Sequence, residues 1–200
     1  MDKKALIHFK RNDPILHSVA LSVELKELVK PNDYFVDLVE SIISQQLSGR
    51  AADTIFGRLK KLFPKGKITP KYLLKISDQA IREAGISFGK IKYIKGVAQK
   101  IANKELDLRK LENMADKEVI EELVKIKGVG PWTAEMFLMF TLVREDIFSA
   151  GDLGLQNAII KHYKLKGKPT REKLLKISSK WSPHRSLASR ILWKSLEIKP

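Results

Sequence analysis

The sequence predicts an all-α protein, and three observations carry that expectation. Helix starts, in which Ser, Thr, Asp or Asn precedes Pro or an apolar periodic run, recur along the 200 residues. Between those starts apolar residues fall three and four apart, the spacing of one helix face. No β-branched alternation bounded by hairpin turns competes with them.

Taken in order, Asp13-Pro14 supplies an N-cap with Pro at the first helical position, and its helix is expected to reach about Val29 before Pro31 closes it. Asn32 is the cap expected for the next, whose Phe35, Val36, Val39, Ile42 and Ile43 form one stripe. Ser48 restarts a helix carrying Ala52, Ile55, Phe56, Leu59 and Phe63, and Thr69-Pro70 and Ser77 open two shorter ones. Gly85 and Gly89 mark turns, after which Ile91, Ile94, Val97, Ala98 and Ile101 define a longer helix. Asp116 caps another that ends at Gly128-Val129-Gly130. Pro131 then starts a helix to about Leu142, and its Phe137, Leu138, Met139 and Phe140 leave almost no polar face, as in a buried centre. Further helices begin at Asp152, at Thr170 and after Ser182-Pro183, the last running toward Ile198. A hydrophobic content of 44% suits one core or two lobes sharing a cleft, and no long linker divides residues 1–200, which read as a single unit.

Composition narrows the function. Lys and Arg number 38 against 23 Asp and Glu, leaving a net charge of +15 that attracts polyanions. Without an 18-residue apolar span or a basic amphipathic anchor, nucleic acid is a better partner than a membrane. The chain has no cysteine, which excludes disulfides, zinc ribbons and cysteine-ligated iron–sulfur clusters. His8, His17, His162 and His184 lack the i, i+4 spacing of a helical metal site. The charged residues Asp2, Lys3 and Lys4, with no signal-peptide core after them, lead us to expect an intracellular location.

Two segments can carry chemistry. In Leu123-Val124-Lys125-Ile126-Lys127-Gly128-Val129-Gly130-Pro131-Trp132-Thr133-Ala134, glycines allow close approach to the backbone and the helix at Pro131 presents unpaired N–H groups. Lys125 and Lys127 add charge, so the turn suits a phosphate; the ordinary alternative is a tight interhelical turn with no ligand. The second segment, Asp146-Ile147-Phe148-Ser149-Ala150-Gly151-Asp152-Leu153-Gly154, places Asp152 at a helix start. Alone, such a residue is an ordinary N-cap.

Together these segments resemble the helix–hairpin–helix glycosylase superfamily, whose hallmark is such a hairpin followed by a Gly/Pro-rich loop and an aspartate. Ser44-Gln45-Gln46-Leu47-Ser48, and Trp181-Ser182-Pro183-His184-Arg185-Ser186 with Trp193, are similar to its alkylation-repair branch, the 3-methyladenine-DNA glycosylase II family. The likeness runs from Asp13 onward and is to compact members without an extra N-terminal β-domain.

The resemblance implies a monomer that acts on double-stranded DNA containing damaged bases, with two helical lobes and the active site in the cleft between them. One lobe is expected over about 36–148, with the hairpin at 117–142, and the other over 1–35 plus 149–200. It makes Asp152 the catalytic carboxylate, Gln46 the wedge that enters the duplex, and Trp132, Trp193, Met136 and Leu153 the lining of the base pocket. Met136 stands where some relatives have an aromatic residue and Leu153 where others have tyrosine. Lys125, Lys127, Gly128, Gly130 and Thr133 would grip phosphate. The carbonyls of Val124, Ile126 and Val129 would hold a structural Na+ or K+, no other cofactor being required. Relatives that also nick DNA carry a Schiff-base lysine at the position of Trp132, so a monofunctional enzyme is expected.

The chemistry follows from the residues too. N-glycosidic cleavage passes through a sugar with oxocarbenium character, which a carboxylate near C1′ stabilises while it orients a water. Flanks at Gly151 and Gly154 would leave room for the DNA backbone. A non-catalytic helix–hairpin–helix binding module, and a lyase-type glycosylase for oxidised or mismatched bases, are the rival readings.

Overall fold

The computed structural model describes residues 2–47 and 49–198, and helices are the only regular elements among them. Ser48, expected to restart a helix, lies outside the described residues. The helices are α1 (Lys3–Asn12), α2 (Pro14–Leu21), α3 (Tyr34–Ser44), α4 (Gly49–Lys61), α5 (Pro70–Lys75), α6 (Asp78–Glu83), α7 (Phe88–Ala102), α8 (Asp116–Val124), α9 (Pro131–Met136), α10 (Leu153–His162), α11 (Arg171–Ser178) and α12 (Arg185–Ser195). The chain divides into two units, Lys30–Leu142, and Met1–Val29 with Val143–Pro200.

Those crossings fall at 30 rather than 36 and at 143 rather than 149. Packing explains both shifts. Tyr34 and Phe35 are buried, and the Tyr34 ring meets Phe137 edge-on at 6.0 Å, which ties the start of α3 into the first of these units. The segment after Val143 is held instead by Ser186 of α12, whose hydroxyl donates to the Arg144 carbonyl at 2.6 Å and accepts from the Ile147 amide at 3.0 Å.

In the unit containing both termini, the sequence-based expectations need three corrections. Helix α1 was not foreseen, although Asp2 caps it through the Lys4 amide at 2.9 Å and Ala5 and Phe9, four apart, are fully buried. Helix α2 stops at Leu21 instead of about Val29. Beyond it the burial pattern changes period: Val23 is buried and Leu25 packs on the same core, a two-residue spacing that only extended chain can satisfy. The last helix begins at Arg185 and ends at Ser195, shorter than the expected run from Pro183 toward Ile198, because the Arg185 amide and guanidinium both bond Asp146.

This unit is organised around a buried carboxylate. Asp13 is 2% exposed; one oxygen caps α2 through Leu16 N–H at 3.1 Å, and the other accepts from Tyr163 at 2.6 Å and from Trp181 Nε1 at 2.9 Å. Trp181 is fully buried with Phe148 packed against it edge-on. Burial, with the bond to Asp13, pushes the Tyr163 hydroxyl well above the ordinary tyrosine range, so it stays a donor.

In the unit Lys30–Leu142, the cap of α3 is Asp33 and not Asn32: Asp33 takes the amides of Phe35 and Val36, while the Asn32 carbonyl accepts from Arg109. Helix α7 is capped by Ser87, which places Gly89 inside its first turn rather than in a loop. Asp116 is the first residue of α8, and Ala115 occupies the cap position, its amide bonded by Glu118 at 2.9 Å. Helix α9 passes into a π-helical stretch, Phe137–Thr141, which completes the apolar run to Leu142. Leu38, Ile42, Ile94, Val97, Leu123 and Leu138 fill the centre of this unit without measurable exposure.

Candidate active site

Asp152 is indeed a helix cap, and it is more than that. One oxygen, Oδ1, accepts from the Leu155 amide at 2.7 Å, fixing the side chain at the first turn of α10. The same oxygen accepts from the indole Nε1 of Trp193, on α12, at 2.9 Å. Gly154 makes that approach possible, since a Cβ there would stand 3.0 Å from Trp193 Cδ1 and 3.1 Å from Asp152 Oδ1. The room that the sequence reserves for DNA at Gly154 is therefore filled by the protein's own tryptophan. Gly151 differs: nothing lies within 4 Å of a Cβ built there. Asp152 is half-buried and Leu153 beside it is 66% exposed.

The hairpin lies in the other unit, between α8 and α9. Gly128 has φ +92°, and a Cβ on it would come within 2.2 Å of the Tyr93 ring, so both backbone and packing demand glycine. Gly130 has an extended backbone and open space where a side chain would be, which leaves the start of α9 accessible. The first N–H groups of α9 have no partner within the helix, as at any helix N-terminus. Lys125 and Lys127 are exposed, the former paired with Glu122. Thr133, expected at a phosphate, is instead buried at 2% exposure; its hydroxyl accepts from Gln45 Nε2 at 3.0 Å and is directed into the unit. Gln45 Nε2 also donates to the Gly128 carbonyl at 3.0 Å.

Gln46 follows in a tight turn closed by the Leu47 amide on the Ser44 carbonyl at 3.1 Å. Gln45 at φ −50°, ψ 130° and Gln46 at φ +59° give this turn the type II shape, whose third position favours glycine. An exposed glutamine holds that strained position. Gln45, Gln46, Lys90, Tyr93, Lys127 and Gly128 border a concavity of about 630 Å³. Neither Lys90 nor Tyr93 is among the residues the sequence pattern singles out.

Trp132 is 40% exposed at the second position of α9, whereas Met136 is 8% exposed and borders a cavity of about 200 Å³ with Asp37, Glu40, Phe137 and Phe140. Burial pushes the carboxyls of Asp37 and Glu40 upward from their ordinary values. Of the three carbonyls expected at a cation, that of Ile126 accepts from the Val129 amide at 3.0 Å, which leaves its second lone pair for a ligand. A neutral carbonyl set of this kind fits a hard monovalent cation. Among the described residues no group of three or more His, Asp or Glu could hold a metal ion, and no helix is long and apolar enough to cross a membrane.

The structure thus joins Asp152, Trp193 and Gly154 into one constellation, and Gln45, Gln46, Gly128 and Thr133 into another. A carboxylate oriented from two directions can stabilise positive charge, and a glycine-lined hairpin at a helix start can take an anion. The glycine-bracketed turn that joins α8 to α9 makes this a helix–hairpin–helix protein. The sequence model of the HhH-GPD superfamily base excision DNA repair protein matches residues 39–184, and the chain belongs to that superfamily. It is 32% identical over 197 residues to DNA-3-methyladenine glycosylase 1 of Schizosaccharomyces pombe, covering 92% of this chain and 86% of that one. The solved S. pombe 3-methyladenine DNA glycosylase in complex with abasic DNA is similar over 98% of both chains, with a TM-score of 0.87 and 31% identity. A Bacillus subtilis relative is 36% identical over 166 residues, of which this chain spans 58% of the length and 80% of its own.

Proposed function

We propose that this protein is a DNA glycosylase that takes alkylated purines of the 3-methyladenine type out of duplex DNA and hydrolyses their N-glycosidic bond, acting as a monomer. The observation that carries the reading is Asp152, held on one oxygen by the Leu155 amide and the Trp193 indole. A cap needs only the first of these bonds. The second makes sense for a carboxylate whose orientation matters to a reaction.

In this reading the target nucleotide is turned out of the stack and Gln46 fills the gap it leaves. The base stacks on an aromatic face, that of the half-buried Trp193 beside Asp152, and a cationic alkylated purine gains from such an electron-rich face. As the bond to the base lengthens, the Asp152 carboxylate stabilises the positive charge growing on the sugar and orients the water that adds at C1′. The base departs with the bonding pair, and the proton that the attacking water loses passes to the base where it is not already cationic and otherwise to solvent. The helix start at Gly130 and the lysines Lys125 and Lys127 hold phosphate. The carbonyls of Val124, Ile126 and Val129 would hold a monovalent cation, which adds positive charge toward that phosphate when bound.

Release of bases from methylated duplex DNA by the wild type and by Asp152→Asn tests the proposal. A group acting on charge and proton in the transition state contributes about 100-fold or more, so the variant should lose that much while still binding DNA. Equal release by both proteins would overturn the assignment, and no release by either would favour a DNA-binding module. Because an indole cannot attack C1′, strand breaks should appear only after added alkali or heat. Trapping of a covalent enzyme–DNA adduct by borohydride would contradict the monofunctional reading.

A further inference from the structure

Lys90 is out of place for its own helix. It is the third residue of α7, where the positive end of the helix dipole disfavours a cation. Its ammonium is half-buried, and burial lowers its pKa from the ordinary lysine range. What compensates is the end of α3: Lys90 Nζ donates to the Ile43 carbonyl at 2.7 Å and to the Gln45 carbonyl at 2.6 Å. Helix α3 has no basic residue of its own in its last turn, so this lysine supplies the positive charge that its free carbonyls attract.

The residue so held leads into the strained turn. The Gln45 main chain is fixed by Lys90, and its side-chain amide is fixed by Gly128 and Thr133 of the hairpin. Gln46, next in sequence, therefore leaves from a main chain that both anchors hold in place. We propose that Lys90 and Gln45 are positioning residues that lock the Gln46 turn to the hairpin, so that the group entering the duplex and the group gripping phosphate are presented as one rigid part. The inference rests on the wedge role given to Gln46 under the proposed function and goes beyond it. A wedge that swings freely fills the vacated stack only part of the time, whereas a locked one holds the gap open as soon as the hairpin is seated.

The test uses the full chain and a duplex carrying one N-methylated purine beside a 2-aminopurine, whose fluorescence rises on unstacking. Lys90→Met and Gln45→Ala should each slow single-turnover excision about tenfold from the paired duplex, as Gln46→Ala should, because the first two release the wedge that the third removes. On a single strand of the same sequence, where no gap must be held, the losses should shrink to about twofold. Lys90→Arg, which keeps donors within reach, should recover most of the paired rate. The double variant Lys90→Met/Gln46→Ala should be no slower than Gln46→Ala alone.

Wild-type excision by Lys90→Met, equal losses on paired and single-stranded DNA, or losses that multiply in the double variant would overturn the inference. Should Lys90→Met fail to fold by circular dichroism, Gln45→Ala carries the same expectations. Failure of the underlying readings looks different. A wild-type rate for Gln46→Ala removes the wedge and this inference with it. A wild type that raises the fluorescence but releases no base removes the glycosylase reading alone, and the fluorescence of the Lys90 and Gln45 variants then decides the inference.

Discussion

At Asp152 a single carboxylate oxygen accepts from both the Leu155 amide and the Trp193 indole, and the two bonds have different purposes. The first satisfies a helix start; the second fixes the plane of the carboxylate. Trp193→Phe separates them, for it keeps an aromatic face for stacking and deletes the donor. We expect kcat for excision to fall about tenfold with KM nearly unchanged, the loss of a charge-assisted hydrogen bond being worth about 1.5 kcal/mol or more. A variant with wild-type kcat would reduce Trp193 to its stacking face. Residue-level physics also explains why the pairing was hidden in the sequence: 41 positions separate the partners, and a tryptophan at helical spacing reads equally well as core.

Between elements, the loop before α10 is pinned to α12 by Asp146. The Arg185 guanidinium meets it through Nε at 2.7 Å and Nη2 at 3.0 Å, and the Ser182 hydroxyl adds a third bond at 2.7 Å. Burial works against this carboxylate's charge, but the bonds from Arg185 and Ser182 outweigh it and hold its pKa below the ordinary value of 3.8. A carboxyl depressed on folding stabilises the fold fully above its unfolded pKa and loses that contribution as the pH falls through its folded pKa. Asp146→Asn should therefore be less stable than wild type at pH 7 by about 1 kcal/mol, the pair being one-third exposed. The difference should close as acid denaturation proceeds below pH 3.8, measured by denaturant melts at several pH values. A constant gap at all pH values would mean that the ion pair is not its source. The elements that the sequence misjudged err for related reasons. The extended chain after α2 is fixed by Val23 and Leu25 meeting a core that is not local to them, and α12 starts late because Asp146, 39 residues away, captures Arg185.

For the molecule as a whole, 38 basic residues against 23 acidic ones make its affinity for duplex DNA an ionic property. If six or more phosphates are contacted, binding should weaken by about a thousandfold or more between 50 and 200 mM salt, through counterion release. A flat salt dependence in a fluorescence-anisotropy titration would assign the charge to another purpose. At this scale the sequence by itself determined a great deal: the all-α class, most helix starts, the hairpin and the position of Asp152 at a helix start. Each is encoded within a few residues, by a cap, a proline, a glycine or an apolar period, and local physics reads such signals without knowledge of the fold. Only the tertiary structure decided that Trp193 bonds Asp152, that Gly154 makes way for an indole, that Thr133 turns inward to Gln45, and that Lys90 closes the end of α3. Those contacts join residues 39 to 88 positions apart, and the energy that selects them arises only when the helices carrying them are packed.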